Sequence, residues 1–203
     1  VTPAPLVGVL ALQGDVREHQ RMLEQLGASV RLVRTPDELD GIEGLVLPGG
    51  ESSTIDKLSR TFGVAEPIRG LIADGLPVFG TCAGLIMLAD RLVDAAPGQQ
   101  SFGGLDVTVQ RNAFGSQLDS FEGTVDAPEL EGEPATVAFI RAPIVTEVGP
   151  RATALATVAG DRVVAVRQGN LLGISFHPEV TGDARWHRDF LRTVGRRTGP
   201  GAR

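Results

Sequence analysis

A buried strand, a glycine-bracketed turn and a helix are compressed into thirteen residues, Pro77-Val-Phe-Gly-Thr-Cys-Ala-Gly-Leu-Ile-Met-Leu-Ala89. Few architectures accept such a passage. The chain must leave the carboxyl end of a strand and enter a helix with no loop between them, so the turn needs residues without bulk on either side of its apex. Gly80-x-Cys82-x-Gly84 meets that need and leaves the only cysteine of the chain at the apex, above the edge of a sheet. The free N–H groups and positive dipole end of the following helix favour an anion there. A lone cysteine is usually a small buried hydrophobe. The bracketing glycines make this one a candidate nucleophile.

The segments around the turn repeat a strand-helix order. Val7-Gly-Val-Leu-Ala-Leu12 is continuously apolar, as a strand covered on both faces must be, and ends at Gln13-Gly14. A helix is expected over 17–26, with Met22, Leu23 and Leu26 on one face and Gly27 as its stop. Strands follow at 29–33 and 44–47. Pro48-Gly-Gly50 breaks the second of these, and Ser52 or Ser53 is placed to cap a helix from Thr54. Further helices are expected over 65–74 and 84–92, with a strand at 77–80 between them. From residue 105 the texture changes to short β-rich runs at 107–109, 136–140, 154–158, 163–167 and 171–176, read as antiparallel strands, before a last helix over 186–196. The fold class that results is α/β: a three-layer sandwich with a mainly parallel central sheet, helices on both faces and an antiparallel β-rich second half. At 203 residues the chain suits a single domain over 1–203, with 1–5 and 198–203 frayed.

A cysteine nucleophile needs a base, and the base needs an orienting group. Of three histidines, His19 and His187 fall inside expected helices as surface or packing residues, whereas His177 follows an apolar strand in Phe176-His-Pro-Glu179. Read as extended chain, that segment puts His177 and Glu179 on one side, with Glu179 fixing the imidazole that exchanges a proton with Cys82. Pro48-Gly-Gly-Glu-Ser52 reaches the same edge of the sheet. Gly50 and Ala83 are therefore the candidate backbone N–H donors to an oxyanion. Arg111 and Arg141 are candidate anchors for a carboxylate.

These strings resemble those of the class I, triad-type glutamine amidotransferases, in which Cys, His and Glu occur in this chain order. More specific are Leu10-Ala-Leu-Gln-Gly14 with Arg17-Glu-His19, Pro48-Gly-Gly-Glu-Ser-Ser53, Arg111-Asn-Ala-Phe-Gly115 and Phe139-Ile-Arg-Ala-Pro143. Together they resemble the glutaminase subunits of pyridoxal 5'-phosphate synthases. The resemblance implies hydrolysis of L-glutamine to glutamate and ammonia through a Cys82 thioester, with Cys82, His177 and Glu179 catalytic. It implies a glutamine site at Gly50, Glu51, Ser52, Arg111, Ile140 and Arg141. It further implies a synthase subunit as partner for vitamin B6 biosynthesis, with Gln13 near the exit of ammonia and a helix presenting Arg17 and His19 to that partner. Docking is expected to organise the loop of Gly50.

The remaining numbers exclude more than they propose. A net charge of −6 argues against a phosphate-backbone partner, and no apolar run approaches a membrane span. One cysteine rules out an internal disulfide and a thiolate-rich metal site, and suits a reducing, cytoplasmic setting. No metal or cofactor is expected. Alternatives are a glutaminase subunit of another pathway, such as histidine or anthranilate synthesis, and a cysteine peptidase or DJ-1-like hydrolase on a related fold. The Arg111 and Arg141 segments weigh against the former, and the joint presence of Pro48-Gly-Gly50 and His177-x-Glu179 against the latter.

Overall fold

The computed structural model describes residues 3–111, 120–125, 127, 130, 134–158 and 161–198. Its first half follows the expected alternation. Strands β1 (Leu6–Leu10), β2 (Ser29–Val33), β3 (Gly44–Leu47) and β4 (Val78–Thr81) pair in parallel in the order β2-β1-β3-β4, and every residue of β3 and β4 is buried. Around them lie α1 (Val16–Gln25), α2 (Ser52–Thr61), α3 (Ala65–Ala73) and α4 (Ala83–Leu88). Side chains alternate across the sheet as a period of two demands. Leu10, Leu45, Leu47 and Val78 join the side chains of α2, α3 and α4 in one apolar cluster. On the other face Val7, Val9, Val46 and Phe79 meet Leu23 of α1 and Trp186, Phe190 and Val194 of α6 (Arg185–Thr198). Those two clusters are the outer seams of a three-layer α/β sandwich.

The second half departs from expectation in three places. Residues 84–92 do not form one helix: α4 stops at Leu88 and the chain continues as β5 (Ala89–Val93), which pairs in parallel with β6 (Leu105–Gln110). Apolar spacing fits both conformations here, and the sheet partner decides between them. Two strands escaped the sequence, β7 (Ser120–Val125) and β9 (Ile144–Val148). β7 pairs antiparallel with β8 (Ala135–Ile140) as a separate hairpin. β9 joins β6 to β11 (Arg162–Gln168), which also pairs with β10 (Thr153–Val158).

The third departure builds the site. β12 (Leu171–Ile174) is antiparallel to β11 but parallel to β4, with Ile174 opposite Thr81. Its four residues are all buried, so it sits inside the sheet and carries the chain that follows it to the same edge as Cys82. Cys82 N–H donates to Ile174 O at 2.8 Å, fastening the two strand ends together. Residues 1–2 and 199–203, where fraying was expected, and residues 112–115, which follow Arg111, lie outside the described residues.

Candidate active site

Cys82 occupies the apex of the turn with φ +48° and ψ −102°, between β4 and the first residue of α4. That backbone is strained for a residue with a β-carbon, at a cost of about 1–3 kcal/mol. The bracketing glycines explain how the turn closes. A β-carbon on Gly84 would lie 2.0 Å from Leu47 O, and one on Gly80 would lie 2.5 Å from the carbonyl carbon of Gly84. The side chain of Cys82 is only 6% exposed, at the floor of a cavity of about 420 Å³.

His177 reaches this cavity from the segment after β12. Its backbone N–H donates to Ala138 O of the β7–β8 hairpin at 3.1 Å, and its side chain hydrogen-bonds Cys82. Pro178 does not continue an extended segment: it opens a short helix, α5 (Pro178–Thr181), with His177 as its N-cap. The proline ring fixes a helical φ, so Glu179 comes round within the first turn instead of lying two residues along a strand. The consequence for the pair is the same. Glu179 Oε1 stands 2.8 Å from His177 Nδ1, and Glu179 is buried behind the imidazole, outside the cavity.

Asp15, which the motifs did not single out, adds a second carboxylate, with Oδ2 3.3 Å from the same Nδ1. Burial opposes charge on His177. Asp15, the Cys82 sulfur and Glu179 outweigh it and push the imidazole up to about 12. His177 therefore holds its proton throughout the neutral range beside Cys82, the setting in which a thiolate is the attacking form. Burial pushes Glu179 up, and the hydrogen bond and charge of His177 pull it back. Among the described residues, Asp15, His177 and Glu179 are the group whose ligand atoms converge, within 4.8 Å of one another. Two carboxylates on one imidazole nitrogen are suited to holding a proton.

The cavity wall collects most of the remaining candidates. Gly50, Glu51, Ser52, Arg111 and Arg141 line it, together with Gln13 and Asp15. Gly50 has φ +152°, and a β-carbon there would fall 2.3 Å from Gln13 Oε1. That oxygen accepts the Glu51 N–H at 2.6 Å, so Gln13 pins the loop that carries Gly50. Glu51, rather than Ser52 or Ser53, is the N-cap of α2, its carboxylate accepting from Ser53 N–H at 3.4 Å and from Ser53 Oγ at 3.0 Å. Ser52 is drawn inside the first turn and buried. Arg111 pairs with Glu51 Oε1 at 2.7 Å and donates to Gln99 Oε1 at 2.8 Å, while Gln99 Nε2 donates to Ser52 Oγ at 2.9 Å. Gln99 was not foreseen, and nothing in its glycine- and proline-containing loop marks it. Arg141 is exposed at the mouth with φ +45°.

Four candidates lie elsewhere. Ala83 is buried at the start of α4, where its N–H is the first of the helix. Ile140 ends β8, and its side chain lies outside the described residues. Arg17 is exposed on the first turn of α1. His19, expected on the same outward face, is instead fully buried and hydrogen-bonded to His187 and Thr81. Its assignment to a partner surface is corrected here. One helical turn places Arg17 and His19 on different sides of α1, and the His19 side belongs to the core.

Comparison with known proteins places this geometry. Residues 9–196 match the model of the SNO glutamine amidotransferase family. The chain is 66% identical over 198 residues to the pyridoxal 5'-phosphate synthase subunit PdxT of Clavibacter sepedonicus, covering 95% of each chain. It is 57% identical over 196 residues to the PdxT of Corynebacterium glutamicum (strain R), covering 95% of this chain and 98% of that one. A crystal structure of a glutamine amidotransferase superposes with a TM-score of 0.85 at 46% identity, covering 93% of this chain and 98% of that one. On the strength of that family match across nearly its whole length, the chain belongs to the SNO glutamine amidotransferase family.

Proposed function

We propose that the chain is the glutaminase subunit of a pyridoxal 5'-phosphate synthase, hydrolysing L-glutamine to L-glutamate and passing ammonia to a synthase subunit. The observation that carries the reading is the pairing of Cys82 with His177 in a cavity lined by Arg111 and Glu51, with Glu179 behind the imidazole. It is joined by the name that relatives at 57–66% identity bear. Arg111 and Glu51 present opposite charges 2.7 Å apart, a pair complementary to the α-carboxylate and α-ammonium of an amino acid.

In this reading the Cys82 thiolate attacks the side-chain amide carbon of glutamine, and the carbonyl oxygen takes up the negative charge. Gly50 and Ala83 N–H groups stabilise that oxyanion. His177 gives its proton to the amide nitrogen, the C–N bond breaks, and ammonia leaves a γ-glutamyl thioester. Neutral His177 next takes a proton from water as the water adds to the thioester. Cleavage of the C–S bond restores the thiolate and the imidazolium, so one glutamine and one water give one glutamate and one ammonia. Glu179 holds the imidazole throughout.

Gln13, beneath the Gly50 loop, and exposed Arg17 are the candidates for the ammonia path and the partner surface. In this reading docking sets the arrangement of the Gly50 loop, which Gln13 holds through the Glu51 N–H. A single reduced cysteine suits the cytoplasm, and the net charge of −6 gives no ground for a nucleic-acid partner. Among the described residues no helix is long and apolar enough to cross a membrane.

The test measures glutamate release by the chain alone, with a purified pyridoxal 5'-phosphate synthase subunit, and as Cys82→Ala with that subunit. The rate rises on adding the synthase subunit and vanishes in Cys82→Ala. Equal rates with and without the subunit contradict the docking step, and substantial turnover by Cys82→Ala removes the nucleophile.

A further inference from the structure

Behind the catalytic groups lies a buried chain of polar side chains that the reaction scheme leaves unused. His19 on α1 and His187 on α6 are both fully buried. His19 Nδ1 lies 2.8 Å from His187 Nε2, and His19 Nε2 lies 3.0 Å from Thr81 Oγ1 and 3.7 Å from Glu179 Oε1. The chain thus ends on the carboxylate oxygen that holds His177. Burial, with the neighbouring His187 and His177, keeps His19 well below the usual histidine range, and burial takes His187 down to about 4. Both are neutral at pH 7, so each carries one ring proton and one lone pair.

The network decides which nitrogen carries which. His187 Nδ1 has no hydrogen-bond partner among the described residues. A buried N–H without an acceptor costs more than a buried lone pair without a donor. The proton of His187 therefore sits on Nε2 and is donated to His19 Nδ1, which leaves the proton of His19 on Nε2, facing Thr81 Oγ1 and Glu179 Oε1. The reverse arrangement strands an N–H on His187 and turns a His19 lone pair toward the carboxylate.

We infer that His19 is a positioning residue for the reaction: backed by His187, it directs its Nε2 N–H at the edge shared by Thr81 and Glu179 and so aims Glu179 at His177. The inference rests on the proposed triad. His19 approaches Glu179 on Oε1, the oxygen that also holds His177, while Oε2 is buried without a partner; burial favours the protonated form of such a carboxylate, and an N–H edge turned toward it opposes that. Glu179 is faced by His177 from its own segment, by Asp15 and His19 from either end of the first turn of α1, and by Cys82 through His177. His187 acts on it through His19, and Asp183 bears in turn on His187.

Two amides separate the two nitrogens of His19. His19→Asn keeps a group near Nδ1 and loses the donor toward Glu179; His19→Gln keeps a donor near Nε2. Thr81→Val removes the competing acceptor and leaves the whole N–H to Glu179. The Glu179 carboxyl resonance, assigned by its loss in Glu179→Gln, is titrated by carbon NMR in the full chain, and kcat/KM is measured with the synthase subunit present. In His19→Asn the Glu179 midpoint rises by about half a pH unit and kcat/KM falls roughly threefold, the same free energy read two ways, as suits an N–H that faces the carboxylate at 3.7 Å without hydrogen-bonding it. In His19→Gln both stay near wild type, and in Thr81→Val the midpoint falls. A midpoint that moves equally in the two His19 variants, or stays at the wild-type value in Thr81→Val, overturns the assignment. Because the titration needs no turnover, an inactive wild-type chain refutes the glutaminase reading alone, and Thr81→Val decides the case even if His19→Asn does not fold.

Discussion

Neutral histidines in the core make stability depend on pH in a definable window. Folded His187 titrates at about 4, against 6.5 in an unfolded chain, so between those values the unfolded state takes up a proton that the folded state refuses. The stability is therefore intact above pH 6.5 and is lost progressively as the pH falls toward 4, by about 3 kcal/mol for this one group. His177, shifted upward, is protonated in both states below pH 6.5 and adds no slope there. Urea unfolding from pH 7 to pH 4 checks this against His187→Gln, whose amide can still donate to His19: the variant shows the shallower fall, and parallel curves would show that His187 is not held neutral. At this scale Cys82, His177 and Glu179 were legible because each sits in a string whose neighbours, glycine or proline, dictate the local backbone. His19 was not. A histidine inside a helical stretch has the same sequence signature whether it faces solvent or a second histidine on a neighbouring helix, and its partner His187 is 168 positions away. Asp15 escaped for a related reason: a carboxylate in the loop after a strand is ordinary until the fold lays that loop over an imidazole.

The turn from β4 into α4 is where local backbone geometry and packing constrain each other most tightly. Gly84 touches the carbonyl of Leu47 at the end of β3, and a methyl group there has no flexible neighbour to push aside. Gly84→Ala is expected to cost about 1–3 kcal/mol of stability as α4 is lifted from β3. It should also lower turnover by about a hundredfold, since a displacement near 1 Å at the nucleophile is enough for that. Gly70→Ala is the control: α3 leaves open space at that position, and removing a helix-interior glycine stabilises by roughly 0.5–1 kcal/mol. Urea midpoints and initial rates of the two variants test the contrast, and similar behaviour of both would remove the steric account of the turn. The first half of the fold was readable because strands buried on both faces and amphipathic helices have different periods. The second half was readable only in part. β5 carries an apolar pattern that a helix could also use, and β9 is defined by its neighbours β6 and β11 more than by its own residues.

Across the whole molecule, the proposed catalytic array joins segments that are distant in the chain but end at one edge of the sheet. β4 delivers Cys82, β12 delivers His177 and Glu179, the end of β1 delivers Gln13 and Asp15, and β3 delivers Gly50 and Glu51. Four parallel neighbours with their carboxyl ends together make this convergence a property of the topology. The antiparallel second half serves it by feeding β12 into the sheet from the far side of the chain. The central claim is that Cys82 at this edge attacks glutamine, and covalent labelling tests it most directly. The protein, with its synthase subunit, is incubated with a diazoketone analogue of L-glutamine, and the modified peptide is located by mass spectrometry. The account predicts one adduct per chain, on Cys82, suppressed by excess L-glutamine; an unmodified Cys82 in a preparation that still releases glutamate would contradict it.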